Sequence, residues 1–234
     1  VIASLLLGVL GMNVLALGLV VARGPVYGTR VYRPMLLNLA LSAAPLLVLL
    51  LAFGAVSLLA VGVPRAVVFT VIAVLLVVWL LLLPNAGYLV TELNLSHRRD
   101  GDGVPMWFDV VLVVSLAMAG VLNTVLNVLV VQLEYVVVVH GDVAAPLLAG
   151  DTLALVVVVL LLVAWGMYLG RHLRLNSWDV LRPWRIVHKT VVHLREPSAA
   201  GQAVAFTLLY ALFFGVMYVA VAGPVIQALV LLEE

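Results

Sequence analysis

The chain contains no cysteine, which removes disulfides, thiolate nucleophiles, iron–sulfur clusters and thiolate zinc sites together. Charge is nearly as scarce. Asp, Glu, Lys and Arg make up 10% of the 234 residues while 66% are hydrophobic, against roughly 25% and 45–50% in soluble domains. No soluble fold hides that much apolar surface. Lysine occurs once, as Lys189 beside a loop, which argues against a Schiff-base lysine in mid-membrane. The histidines His97, His140, His172, His188 and His193 show no HExxH or other metal spacing, and there is no P-loop, nucleophile elbow or dinucleotide fingerprint. No metal site, cofactor or nucleic-acid partner is expected, and oligomeric state leaves no mark in the sequence.

What is present is a series of six apolar stretches at about 1–22, 35–61, 66–90, 107–131, 152–170 and 203–230. Runs near 20 residues match the hydrocarbon core of a bilayer. Lipid offers no partner to backbone N–H and C=O groups, so these stretches are read as helices despite their many β-branched valines. The expected fold is all-α: one polytopic transmembrane bundle of six spans, with the bilayer as its principal partner. The first stretch lacks a basic n-region and is too long for a typical signal-peptide core, so it is read as a span.

The net charge of +1 decides little, but the placement of the basic residues decides much. Arg23, Arg30 and Arg33 lie at the first connection, Arg98 and Arg99 in the third, and Arg171, Arg174, Arg182, Arg185, Lys189 and Arg195 in the fifth; only Arg65 lies in an even-numbered one. By the positive-inside rule the odd connections face the cytoplasm and both termini lie outside. In the fifth connection, about 178–196, Arg182, Arg185, Lys189, His193 and Glu196 fall on one side of a helical wheel and Leu181, Trp184, Val187, Val191 and Leu194 on the other. This is the pattern of an interfacial amphipathic helix. Its basic face is either an ordinary juxtamembrane feature or a surface for anionic lipids.

Polar residues that interrupt the spans are the candidates for function, because they are costly in lipid. Pro84 removes a helical hydrogen bond inside the third span and predicts a kink. Asn85, Tyr88, Glu92 and Ser96 then share a face, forming either a polar site or a self-satisfied kink. In the fourth span Asp109, Asn123, Asn127 and Glu134 fall within one narrow arc near Gly120, interrupted by Leu112 and Leu116. Interhelical hydrogen bonding is the plainer reading of that stripe, and a polar pathway the alternative. The fifth span ends at Gly166, Gly170, Arg171 and Arg174, followed by Asn176, Ser177, Trp178 and Asp179. Two arginines about a turn apart either snorkel, pair with Glu92 or Asp109, or grip a phosphate.

Three segments together resemble a known family: Pro84-Asn85-Ala86-x-Tyr88-Leu89-x-Thr91-Glu92, Trp107-Phe108-Asp109, and Tyr168-Leu169-Gly170-Arg171-x-x-Arg174-x-Asn176-Ser177-Trp178-Asp179. The family is that of integral membrane proteins named domain of unknown function 1361. The resemblance implies a bacterial or archaeal multi-pass protein of the cell membrane and implies no activity. Its pattern commonly carries Asp where Glu92 stands and His where Leu95 stands; the nearest histidine here is His97. A shorter echo, Tyr88-Leu89-x-x-x-Leu93-x-Leu95 against Tyr168-Leu169-x-x-x-Leu173-x-Leu175 at a separation of 80 residues, is compatible with duplication or with chance among leucines.

Three function classes follow. In the first, Asn85, Tyr88, Glu92, Asp109, Arg171, Arg174, Asn176, Ser177 and Asp179 bind or transport a polar or anionic group, such as a lipid head group, at the cytoplasmic side. The second is a membrane enzyme acting on a phosphate-bearing lipid, with Glu92 or Asp109 as general base. The third is a structural or assembly subunit in which the same residues lock helices together. An ion pair between Glu92 and Arg171 or Arg174 is expected in each.

Overall fold

The computed structural model describes residues 1–29, 33–59, 63–92, 103–141, 143–173 and 183–233, without the side chains of 55–59, 92 and 183. Among these residues the secondary structure is helical throughout: α1 (Ile2–Tyr27), α2 (Arg33–Leu59), α3 (Arg65–Leu82), α4 (Pro84–Tyr88), α5 (Met106–His140), α6 (Gly150–Leu173), α7 (Pro183–Leu194) and α8 (Pro197–Glu233). Short 3-10 turns at Leu89–Glu92 and Ala145–Leu148 complete the described chain. Six helical stretches are long and apolar enough to cross a membrane, the third being Arg65–Thr91, which joins α3, α4 and the first 3-10 turn.

The helix ends follow local chemistry. Gly28 takes φ 66° and closes α1 in the left-handed region, where a side chain would be strained. Pro84 stands at the first position of α4, where its missing N–H costs least, and α3 stops at Leu82, one residue short of it. The interruption is local: Leu83 keeps right-handed helical angles and donates to the Trp79 carbonyl at 2.8 Å, and after it come one turn of α-helix and a tighter 3-10 turn.

Helix α5 holds the bundle together. It packs against α1, α2, α4, α6 and α8, and 72% of its most apolar window is buried, compared with 11% for α8. At 1.5 Å per residue its 35 residues extend about 52 Å. It runs on to His140, past the apolar stretch that ends near 131, so Gln132, Glu134 and Tyr135 are carried on continuous helix. The sixth span likewise begins at Pro197, ahead of its apolar stretch near 203. The outward faces of α1, α2, α3 and α8 carry exposed Leu, Val and Phe, including Leu7, Leu51, Phe69 and Val219. That distribution fits solvation by lipid tails rather than water.

Alternation of the spans brings the starts of α2, α5 and α8 to the same end as the C-termini of α1 and α6. This is the basic end. Arg23, Asp109, Thr91 and Arg171 meet there in pairs, while His140 and Asp151 meet at the opposite end.

Candidate functional site

The segment Pro84–Tyr88 sits in a tight seat. A Cβ on Gly166 of α6 would fall 2.3 Å from Cγ of Pro84, and one on Gly120 of α5 would fall 2.9 Å from Cβ of Leu89 and 3.0 Å from the Ala86 carbonyl oxygen. Within the segment, a Cβ on Gly87 would meet Met167 Sδ and Phe214 Cζ, each at 2.8 Å. Glycine at these places lets three helices close over the break. The Ala86 carbonyl accepts a hydrogen bond from Ser42 Oγ of α2 at 2.9 Å. Asn85 and Tyr88 are half-buried, Asn85 has a bonded partner, and the Tyr88 carbonyl accepts from Thr91 Oγ1 at 2.7 Å. A broken span that opens onto a cavity marks a substrate site in many transporters; here the break is covered by packed protein.

The end of this segment meets α6. Arg171 is exposed, and its Nη1 donates to the Thr91 carbonyl oxygen at 2.5 Å. A cation satisfying a carbonyl at a helix C-terminus is favourable for both groups. Among the described residues Arg171 has no carboxylate partner. The side chain of Glu92 and all of Arg174, Asn176, Ser177 and Asp179 lie outside the described residues, so the expected pairing of Glu92 with Arg171 or Arg174 falls outside them too.

Asp109 goes elsewhere than its sequence neighbourhood implies. It is fully buried, and its Oδ1 accepts from Nε of Arg23, itself 5% exposed, at 3.0 Å. Arg23 Nη1 also donates to Thr29 Oγ1 at 3.3 Å, and that hydroxyl donates back to the Arg23 carbonyl at 3.0 Å. The Tyr27 ring meets the Phe108 ring edge-on at 5.0 Å, closing the same corner. The pair therefore ties α1 to α5, and Asp109 is not among the groups facing Arg171.

The stripe on α5 is hydrogen-bonded on both of its asparagines. Asn123 Oδ1 accepts from Asn13 Nδ2 at 2.8 Å, while Asn123 Nδ2 donates to Asn13 Oδ1 at 3.1 Å and to Ser42 Oγ at 2.9 Å. Asn127 accepts from Trp79 Nε1 at 2.9 Å and donates to the Asn123 carbonyl at 2.8 Å. Through these bonds α1, α2, α3 and α5 are joined in mid-bundle. Glu134, on the same arc, is half-buried and makes no hydrogen bond among the described residues. Sequence reasoning missed Gln132, which is fully buried, donates to the Leu147 carbonyl at 2.9 Å and accepts from the Tyr218 hydroxyl. It also missed the far-end cluster in which Asp151 Oδ2 receives Tyr135 OH at 3.0 Å and His140 Nε2 at 2.8 Å.

Helix α7 lies against α6 and α8 at the basic end. His193, which its spacing groups with the basic face, turns instead to the bundle: its Nε2 is 2.8 Å from the hydroxyl of Tyr168, a fully buried residue of α6. The same hydroxyl lies 3.2 Å from the Ala199 carbonyl. His172 stacks on the Tyr168 ring at 4.2 Å, and Phe206 packs edge-on to both. The conspicuous tyrosine of the Tyr168-Leu169-Gly170-Arg171 motif is thus the seat of α7.

Comparison with known proteins gives one match. The model of a family described as protein of unknown function (DUF1361) matches residues 37–218, a span that includes the broken third span, all of α5 and α6, and α7. No curated protein and no solved structure matches the chain.

Proposed function

The chain belongs to the DUF1361 family of proteins of unknown function, and from that premise we propose that it is a membrane protein whose basic end binds a phosphate-bearing group, with lipid head groups as the favoured source. The odd connections are assigned to the cytoplasmic side, where anionic lipids and phosphorylated metabolites are both at hand.

The observation that carries this reading is the state of Arg171. Arg171 is an exposed residue, and its guanidinium donates through one nitrogen to the Thr91 carbonyl. Of the two carboxylates expected as its partners, Glu92 and Asp109, Asp109 is engaged by Arg23. A guanidinium carries five N–H donors in a planar fork, so one bond to a carbonyl leaves others able to meet phosphate oxygens. The geometry weighs against two neighbouring readings. A polar pathway along α5 would need Asn123 and Asn127 to release partners on three other helices. A catalytic base at Asp109 would need a carboxylate that is not already buried in an ion pair.

The test compares wild type with the Arg171→Gln/Arg174→Gln double variant, both purified from the same membranes. Anionic lipid retained after purification is measured by mass spectrometry, and thermal stabilisation is measured with added phosphatidylglycerol and with inorganic phosphate. The expected result is several-fold less anionic lipid on the variant and a smaller rise in its melting temperature. Stabilisation by phosphatidylglycerol alone identifies a lipid, whereas equal stabilisation by phosphate identifies a soluble ligand. Equal lipid retention with no stabilisation of the wild type overturns the proposal and leaves helix locking as the role of these residues.

A further inference from the structure

Helix α7 has three faces, and among the described residues only one of them is occupied by protein. Ile186, Thr190 and His193 are partly buried, spaced to lie along one side, and turned toward α6 and α8, with His193 fixed on the Tyr168 hydroxyl at 2.8 Å. Trp184, Val187 and Val191 follow around the helix and are 70%, 60% and 44% exposed. Beyond them Arg185, His188 and Lys189 are exposed as well. Trp184, Arg185, His188 and Lys189 line a shallow, open depression of about 420 Å³.

We propose that α7 lies in the plane of the membrane surface as a docking element for an anionic leaflet, with Trp184, Val187 and Val191 among the upper acyl chains and Arg185, His188 and Lys189 among the phosphates. An exposed apolar strip is unfavourable in water, and this one lies beside a basic strip on a helix seated where the end of α6 meets the start of α8. Apolar burial combined with attraction to anionic head groups is what holds such helices in an interface. Charge complementarity selects the occupant: Arg185 and Lys189 on α7 and Arg195 just after it stand exposed against one exposed carboxylate there, Glu196 in the turn before α8. The seat on Tyr168 sets the rotation. Turning α7 by a third of a turn would bury Arg185 and Lys189 against α8 or lift Val187 into water.

The proposal shares with the functional reading above the assignment of the basic end to an anionic lipid surface, but it rests on other residues. In vesicles of uniform composition it is also independent of the protein's orientation. The cysteine-free chain allows single-site labelling. Val187→Cys, Val191→Cys and His188→Cys are each labelled with an environment-sensitive dye and reconstituted into phosphatidylcholine vesicles with and without phosphatidylglycerol. Quenching by lipids spin-labelled high on the acyl chain is then read. Positions 187 and 191 are expected to be quenched several-fold more strongly than 188, more so with phosphatidylglycerol, and Arg185→Gln/Lys189→Gln is expected to remove that lipid dependence. Arg171→Gln/Arg174→Gln is expected to leave quenching at 187 unchanged, so loss of the phosphate site and loss of the α7 surface are read separately. Equal quenching at all three positions overturns the proposed orientation. Deep burial that ignores lipid charge overturns the anionic partner.

Discussion

Asp109 and Arg23 share a hydrogen bond across 86 positions of sequence, with both side chains nearly sealed from solvent. Removing one partner of a buried ion pair costs about 3–5 kcal/mol, whereas replacing both with apolar residues of similar volume is often neutral or better. Asp109→Leu is therefore expected to lower the melting temperature in detergent sharply, and Arg23→Met/Asp109→Leu to melt above it. A double variant less stable than Asp109→Leu alone would mean that the pair is more than mutual neutralisation. Asn123 poses a milder case, since interhelical hydrogen bonds in membranes average about 0.6 kcal/mol and reach about 1.7. With three interhelical bonds, Asn123→Ala is expected to lose about 1–2 kcal/mol of stability while retaining anionic lipid as the wild type does; lost retention with unchanged melting would return the stripe to a binding role. The sequence made the stripe legible because period places Asn123 and Asn127 on one face. It could not show Gln132, because α5 is enclosed by helices on several sides, and a single arc describes only a helix with one buried face. Nor does spacing reveal that Arg23 reaches Asp109, since that contact depends on how α1 leans on α5.

At the level of elements, the break at Pro84 was readable from the residue itself, but its meaning lay in other helices. Gly166, Gly120 and Gly87 are where backbone or ring approaches too closely for a Cβ, and only the three-dimensional register of α6 on α4 shows which glycine faces the proline. Gly166→Ala is expected to destabilise by about 1–3 kcal/mol through overpacking. Gly8→Ala on the open face of α1, with nothing within 4 Å, is expected to be neutral. Because the clash is with the Pro84 ring, Gly166→Ala and Pro84→Ala should be coupled, the double variant losing less than the sum of the singles. Strict additivity, measured by thermal unfolding in the same detergent, would show that the break and α6 pack independently. The amphipathic pattern of α7 was legible at Trp184, Arg185, Val187, Lys189 and Val191, with Leu181 and Arg182 outside the described residues and His193 as the informative exception. A wheel places it at the border of the basic face, and the buried Tyr168 hydroxyl draws it inward.

On the scale of the whole molecule, hydrophobicity alone revealed six helices and their order, because lipid leaves the backbone no alternative to helix. What hydrophobicity does not reveal is that α5 is the buried hub while α3 and α8 face outward on most of their length, a distinction made by polar contacts and glycine spacing rather than by mean hydropathy. The six-span arrangement puts Arg23, Arg171, Arg185, Lys189 and Arg195 at one end, and the proposal that this end meets the anionic cytoplasmic leaflet stands or falls on which way the bundle points. Cysteine labelling in intact cells addresses that directly, since the chain has no cysteine of its own. Ser198→Cys, at the basic end beside α7, and Arg65→Cys, at the opposite end, are exposed positions to be treated with a membrane-impermeant thiol reagent before and after the cells are opened. Arg65→Cys is expected to react in intact cells and Ser198→Cys only after opening; ready labelling of Ser198→Cys in intact cells, with Arg65→Cys protected, would invert the bundle and contradict a basic end turned to the cytoplasm.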